Sequence, residues 1–309
     1  MSKLPLPAEC RTNAIPDSGI VHMNILSLAL ALWLLPVPAA AQGGGSVTLL
    51  EGSLRVIRGV NVLKGAEGMR LRQGDLLETS DKGFAQLEFA GGAVVALGPV
   101  TQVFVYRQSG EKAQQTELVL LSGWLKGESA AGAGTYRYST PIVAAMTGAG
   151  TVLVHNSEGA CDVFVESGSA TIGEVGGEGG IRAPVPAKAG QFFSRHAGKS
   201  ISTAARPNAA FLEAMPHPFR DTLPSRLARF AGKSIEPKPD HAVAYTDVQA
   251  WLKMPAAWRR GFVERFSPRL KDPEFRKQVE AHVAEHPEWD KALHPEKQPE
   301  EKSAPGSNP

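Results

Sequence analysis

Cysteine is nearly absent: Cys10 and Cys161 are the only two in 309 residues. Cys10 lies ahead of an export-type segment, so the exported chain keeps Cys161 alone and an internal disulfide is excluded. Cys161 precedes Asp162-Val163-Phe164-Val165, a strand-like setting in which a thiol reads as a small buried hydrophobe. A strong charge of one sign is missing as well. The 33 basic and 31 acidic side chains leave a formal net charge of +2, which argues against nucleic acid or an anionic membrane surface as the principal partner. No apolar run reaches the ~20 residues that a helix needs to cross a bilayer. The longest, residues 25–35 (ILSLALALWLL), has the length of a signal-peptide core.

The residues just after that run agree with export. Pro36-Val37-Pro38 breaks any helix and Ala39-Ala40-Ala41 supplies an A-x-A site, so cleavage is expected before Gln42. Residues 1–22 are polar and unpatterned, which makes Met23 an alternative start, although no Lys or Arg separates Met23 from the run. The expected location is periplasmic or secreted, with no stable transmembrane anchor after cleavage.

Composition divides the rest. Of the 32 glycines, 28 fall between Gly43 and Gly198, and beyond Ser200 proline, histidine, tryptophan and charge replace them. The expected division is a signal region over 1–41, an all-β domain over 42–200, a small helical region over 201–295 and a disordered tail over 296–309. In the β part, short alternating or β-branched runs are separated by glycine every eight to twelve residues. Strands are expected over 46–50, 53–58, 85–89, 93–97, 100–106, 118–121, 142–146, 151–155, 162–166 and 169–172. Ala85-Gln86-Leu87-Glu88-Phe89 alternates strictly, which predicts a half-buried strand with Gln86 and Glu88 on a wet face. Ala93-Val94-Val95-Ala96-Leu97 is apolar on both faces and reads as central, with Pro99 marking its end. The two exposed ends of such a stack need cover, for which the charged tail is available.

Several short motifs in this part occur in a fixed order: Gly74-Asp75-Leu76-Leu77-Glu78-Thr79, Ala85-x-Leu87-x-Phe89, Val95-x-Leu97-Gly98-Pro99-x-Thr101, Leu121-Ser122-Gly123-Trp124-Leu125, Thr140-Pro141, Gly150-Thr151-Val152-Leu153-Val154, Val163-Phe164-Val165-Glu166-Ser167-Gly168 and Lys188-Ala189-Gly190-Gln191. From about Val47 to Gln191 the chain resembles the FecR domain, the extracytoplasmic module named for regulators of iron-siderophore uptake. Where that family usually has Asp-Gly-Ser in a turn, this chain has Gly91-Gly92-Ala93. The resemblance implies a mainly β stack of short strands, solenoid or sandwich-like, with no enzymatic activity. The family's regulators carry a cytosolic anti-sigma domain ahead of the module, for which this chain has no room, so direct action on a sigma factor is not expected.

The C-terminal part carries helix starts. Thr246-Asp247-Val248-Gln249 fits a capping box, with Val248, Trp251 and Leu252 on one face. Pro255 opens a helix in which Trp258, Phe262 and Phe266 recur at i, i+4 and i+8, with Arg259, Arg260 and Arg265 on the surface. Asp272-Pro273-Glu274 caps a third, with Phe275, Val279 and Val283 as its stripe. The aromatics sit at core spacing, so a nucleic-acid stacking surface is not expected; a glycan or peptide site lined by Trp251, Trp258 and Trp289 is the less favoured use.

Apparent catalytic motifs are few. His282-Val283-Ala284-Glu285-His286 satisfies H-x-x-E-H, in which two histidines one helical turn apart would hold zinc and Glu285 would activate water. Against it, Pro287 follows at once and few residues remain to supply a third ligand. Gly198-Lys199-Ser200 and Gly232-Lys233-Ser234 end like P-loops, but Phe193 and Leu227 stand where the loop's first glycine belongs. Asp162 and Glu166 read as surface charge. No catalytic, cofactor or metal residue is assigned. The expected function is a non-catalytic envelope module that binds a protein partner, in signalling. Binding of peptidoglycan or another cell-wall polysaccharide is the alternative, and a zinc hydrolase through His282, Glu285 and His286 the distant third.

Overall fold

The strands expected at glycine-spaced intervals are present, some of them longer than the glycines suggest, and further strands join them. The computed structural model describes residues 44–108 and 115–295. The export segment and the tail beyond residue 295 lie outside the described residues. The first strands are β1 (Gly45–Glu51), β2 (Leu54–Arg58), β3 (Asn61–Lys64), β4 (Leu76–Thr79), β5 (Phe84–Phe89), β6 (Val94–Leu97) and β7 (Gln102–Arg107). The later ones are β8 (Gln115–Ser129), β9 (Thr135–Ser139), β10 (Val143–Ser157), β11 (Ala160–Val175), β12 (Ile181–Lys188), β13 (Phe192–His196), β14 (Ser202–Ala204) and β15 (Lys238–Ala242). The pairs expected over 142–146 and 151–155, and over 162–166 and 169–172, are single long strands, β10 and β11.

Glycines inside these strands bend the chain instead of ending it. The β10–β11 register shifts between Thr147 and Gly150, where Gly150 and its neighbour Gly168 both have positive φ. A Cβ on either would stand 2.3 Å from a backbone oxygen of the other strand, so only glycine lets the two backbones close at this bend.

The bend changes each long strand's neighbours. The first half of β8 pairs with β7 and β9, and its second half with β6 and β10. The second half of β11 pairs with β12 and the first half with β13. One open sheet is thereby doubled into two layers, in the order β15-β3-β2-β4-β7-β8-β9-β10-β11-β12 and β1-β5-β6-β8-β10-β11-β13-β14. Alternate residues from both layers, among them Val56, Leu77, Val103, Leu120, Leu87, Val95, Leu125, Val154 and Val165, meet in a single interior. The arrangement is the sandwich-like form of the expected fold.

Part of the other face of each layer is also buried, by the C-terminal region. Ile57, Leu76, Phe104 and Val119 are covered by α2 (Tyr245–Leu252) and the helices after it. Phe84, Val94, Ala96, Trp124 and Leu153 lie under a strap that carries α1 (Ala209–Ala214), Phe211, Met215, Phe219 and Leu223. The wet face expected for β5 is therefore dry: Gln86 and Glu88 are 1% and 2% exposed, because the strap crosses them. The same region lends an end strand, since β15 pairs with β3.

The helices follow most of their sequence signals. The start of α2 lies earlier than the expected Thr246 cap: Asp247, in the first turn, accepts from the Ala244 amide at 2.7 Å. The stretch expected as one helix after Pro255 breaks into α3 (Ala256–Arg259) and α4 (Phe262–Phe266) at Gly261, yet Trp258, Phe262 and Phe266 are all buried. Asp272 caps α5 (Pro273–Ala281) as expected, accepting from the amides of Glu274 and Phe275. The described chain ends in α6 (Asp290–Leu293) and the two residues beyond it.

Val100, expected inside a strand, instead turns the corner before β7 with φ of 49° and is 62% exposed. A β-branched residue in the left-handed region is strained by about 1–2 kcal/mol. Val100→Gly is expected to raise stability by about 0.5–1 kcal/mol once glycine's own backbone entropy is set against the relief. A urea unfolding midpoint at or below that of the unmodified chain would refute this.

Candidate interaction site

The H-x-x-E-H residues do not form a metal centre. α5 ends at Ala281 and His282 is its C-cap, so the motif is not on a helix. His282 lies stacked on Tyr245 with Nδ1 2.8 Å from the Gln278 carbonyl, and Glu285 pairs with Lys253 at 2.9 Å. His286 is fully buried between Tyr245 and Trp289. The three side chains serve three different neighbours. Among the described residues no group of three or more His, Cys, Asp or Glu could hold a metal ion.

Burial holds His286 below its ordinary range, opposed by Glu288 and Glu285 and aided by Arg259 and His282. A histidine depressed in the folded state contributes stability above its unfolded value of about 6.5, and that contribution is lost as pH falls through the folded value. The chain is expected to be less stable near about pH 5 than near about pH 7.5, and His286→Leu to narrow the difference in urea unfolding. An unchanged difference would count against it.

The tryptophans are core residues. Trp251, Trp258 and Trp289 are 0%, 3% and 0% exposed, so none offers a face to a sugar ring. Arg265, expected on the surface, donates to the carbonyls of Gly59, Gly74 and Ile57, and burial pulls it down to about 10. Cys161 is buried against the interior, which pushes its thiol up to about 12.

The residues that carry the FecR resemblance build corners. Asp75 is 1% exposed and takes a two-pronged contact from Arg58, at 2.9 and 2.7 Å, together with the Arg72 amide. The Thr79 hydroxyl donates to the Gly98 carbonyl and accepts from the Thr101 amide, and the Thr101 hydroxyl accepts from the Trp124 amide. Thr140 closes its own turn on Val143. In the turn between β5 and β6, a Cβ on Gly91 would stand 2.4 Å from the Ala133 carbonyl oxygen, so the close approach of the two backbones there requires glycine.

The least expected chemistry lies under the strap. Lys126, on β8, is 1% exposed, and its ammonium donates to the carbonyls of Phe219 at 2.9 Å and Asp221 at 2.8 Å. Glu128 and Glu166 pair with it at 3.1 and 3.2 Å, and Glu166 stays at the surface as expected, paired there. Glu88, on β5, accepts from the amides of Arg226 and Leu227, from the hydroxyls of Ser225 and Thr48, and from Gln86. Burial opposes its ionisation, but the donors from Ser225, Thr48, Arg226 and Gln86 together hold it below the usual carboxylate range. Gln86 donates to the Pro224 carbonyl and Glu128 accepts from the Leu223 amide. None of these residues is legible as a site in the sequence. Polar residues alternating with apolar ones in a strand signal solvent, and the covering segment has no periodicity of its own.

No protein-family model matches the chain, and no curated protein matches it. Among solved structures, it is similar to "a putative anti-sigma factor from Parabacteroides distasonis", known in crystals at 1.65 and 2.50 Å. The first alignment has 10% identity and a TM-score of 0.36, and covers 42% of this chain and 59% of that one. The second has 10% identity and a TM-score of 0.37, and covers 45% and 64%. The chain spans less than two thirds of these neighbours' own length.

Proposed function

We propose that the chain is an exported FecR-like module of the bacterial cell envelope that acts through protein contacts, in regulation or signalling, without catalysis. The observation that supports this reading is the use of its motif: Asp75, Thr79, Gly98, Thr101 and Thr140 are all engaged in holding corners of the β framework. A fold whose distinctive residues hold corners leaves its surfaces to do the binding. Export is supported by the apolar run over 25–35 and the alanines before Gln42.

The test is cell fractionation followed by crosslinking in the periplasm and affinity purification of the processed chain. The expected result is a protein starting at Gln42, recovered with a partner protein in a ratio that survives enzymatic digestion of the wall. A chain retained uncleaved in the cytosol, or one that sediments with peptidoglycan and no protein, would overturn the proposal.

A further inference from the structure

The strap is held in an unusual way: the sheet reads its main chain. Four side chains on the outer face of β5 and β8 contact it through six backbone groups. Lys126 takes the carbonyls of Phe219 and Asp221, Gln86 that of Pro224, Glu128 the amide of Leu223, and Glu88 the amides of Arg226 and Leu227. Two aromatic side chains complete the fit. Phe211 packs 5.0 Å from Trp124 and 5.1 Å from Phe192, and Phe219 packs against Phe84 and Trp124.

A permanent cover does not need this chemistry. Apolar residues of similar size bury at lower cost than a lysine and a glutamate that are 1% and 2% exposed. Side chains that bind backbone groups, with pockets for one or two anchors, are how a groove accepts an extended segment whose sequence can vary. Such a groove also opens at lower cost than a purely apolar one, because its charges regain water when the segment leaves.

The strap is attached by side-chain contacts and not by strand pairing. Its only α-helix is the six-residue α1, the rest of it carries one turn of 3-10 helix over His217–Arg220 and the first residue of another, and residues 208–227 supply no strand to the sheet. Residues 205, 206 and 231–236, on either side, are exposed. Lifting the strap therefore breaks no strand pairing.

We infer that the outer face of β5, β6 and β8 is a peptide-binding groove, occupied in the resting chain by its own residues 208–227, and that an extended segment of a partner protein bearing an aromatic anchor takes their place. In the groove Lys126 is neutralised by Glu128 and Glu166, and Glu88 is spent on backbone amides, so it selects on backbone and anchor. The inference rests on the protein-contact reading above and names the surface through which contact is made.

Two measurements on the full processed chain test it. In native-state hydrogen exchange, the amides of Leu223, Arg226 and Leu227 should exchange at least about tenfold faster than those in the middle of β10, through an opening smaller than global unfolding. A labelled synthetic peptide of residues 208–227 should bind about tenfold more tightly to Phe219→Ala, whose own strap competes less well, than to the unmodified chain. A scrambled peptide should not bind. Adding Glu88→Gln should weaken the gain while circular dichroism remains that of the folded chain. Strap amides that exchange only with β10, or a peptide that binds neither chain, would overturn the groove. A stable dimer formed by exchanged straps would assign it to a second copy and overturn the partner assignment. Neither measurement uses an envelope partner, so a failed groove leaves the protein-contact reading to its own crosslinking test.

Discussion

Trp251→Ala is expected to lower the unfolding free energy by about 3–5 kcal/mol. The indole has no exposed surface and stands where the helical region meets the outer face of the first layer. Its Nε1 donates to Glu78 Oε1 at 2.8 Å, and Glu78 also accepts from Arg55 and Gln102. Arg55 reaches on to Asp247, which accepts from the amide of the Ala244 cap, so one half-buried polar network ties the first turn of α2 to β2 and β4. Alanine would leave a cavity the size of an indole in a layer whose neighbours are strands with little freedom to collapse into it. Trp251→Phe keeps most of the ring and loses the donor, and should cost about 1–3 kcal/mol. Equal unfolding midpoints for the alanine and phenylalanine variants would show that packing contributes nothing there and would refute the account.

For Glu88→Ala the expected loss is about 2–5 kcal/mol, with a local signature. The substitution strands the amides of Arg226 and Leu227 and the hydroxyls of Ser225 and Thr48 in a dry layer, and each unsatisfied group costs about 1–3 kcal/mol before relaxation. The carboxyl is held below its usual range in the folded chain. It therefore contributes stability above its unfolded value of about 4.3, and that contribution is lost as pH falls through the folded value. Acid below about pH 4 should loosen the strap of the unmodified chain and leave Glu88→Ala unaffected by this route. Limited proteolysis is the readout, with first cuts expected between residues 205 and 237 in the variant at neutral pH and in the unmodified chain only under acid. Cuts distributed evenly over the β layers would contradict a local role for Glu88.

Both substitutions act where sequence reasoning is weakest. The alternation of Ala85, Leu87 and Phe89 correctly names the side that joins the interior, because a strand's side chains must alternate. It says nothing about the opposite side, which solvent or another segment can cover. Gln86 and Glu88 read as water-facing because polar residues usually are, whereas a segment more than a hundred residues later in the chain lies over them. Glycine misleads in a related way. Gly150 and Gly168 read as turn residues because positive φ usually serves turns, yet here it serves a bend within two paired strands. Asp272 is legible as a cap because its signal is complete within three residues.

The amino-acid sequence by itself determined the mainly β architecture, the alternation that builds the interior, the central place of β6 and the helical character of the C-terminal region. Each of these arises from local periodicity and turn chemistry. Only the tertiary structure decided that the sheet doubles over, that part of each outer face is dry, and that Lys126 and Glu88 grip a strap. Those facts depend on contacts between segments remote in the chain, and a residue's own neighbours in sequence carry no record of what will be laid across it.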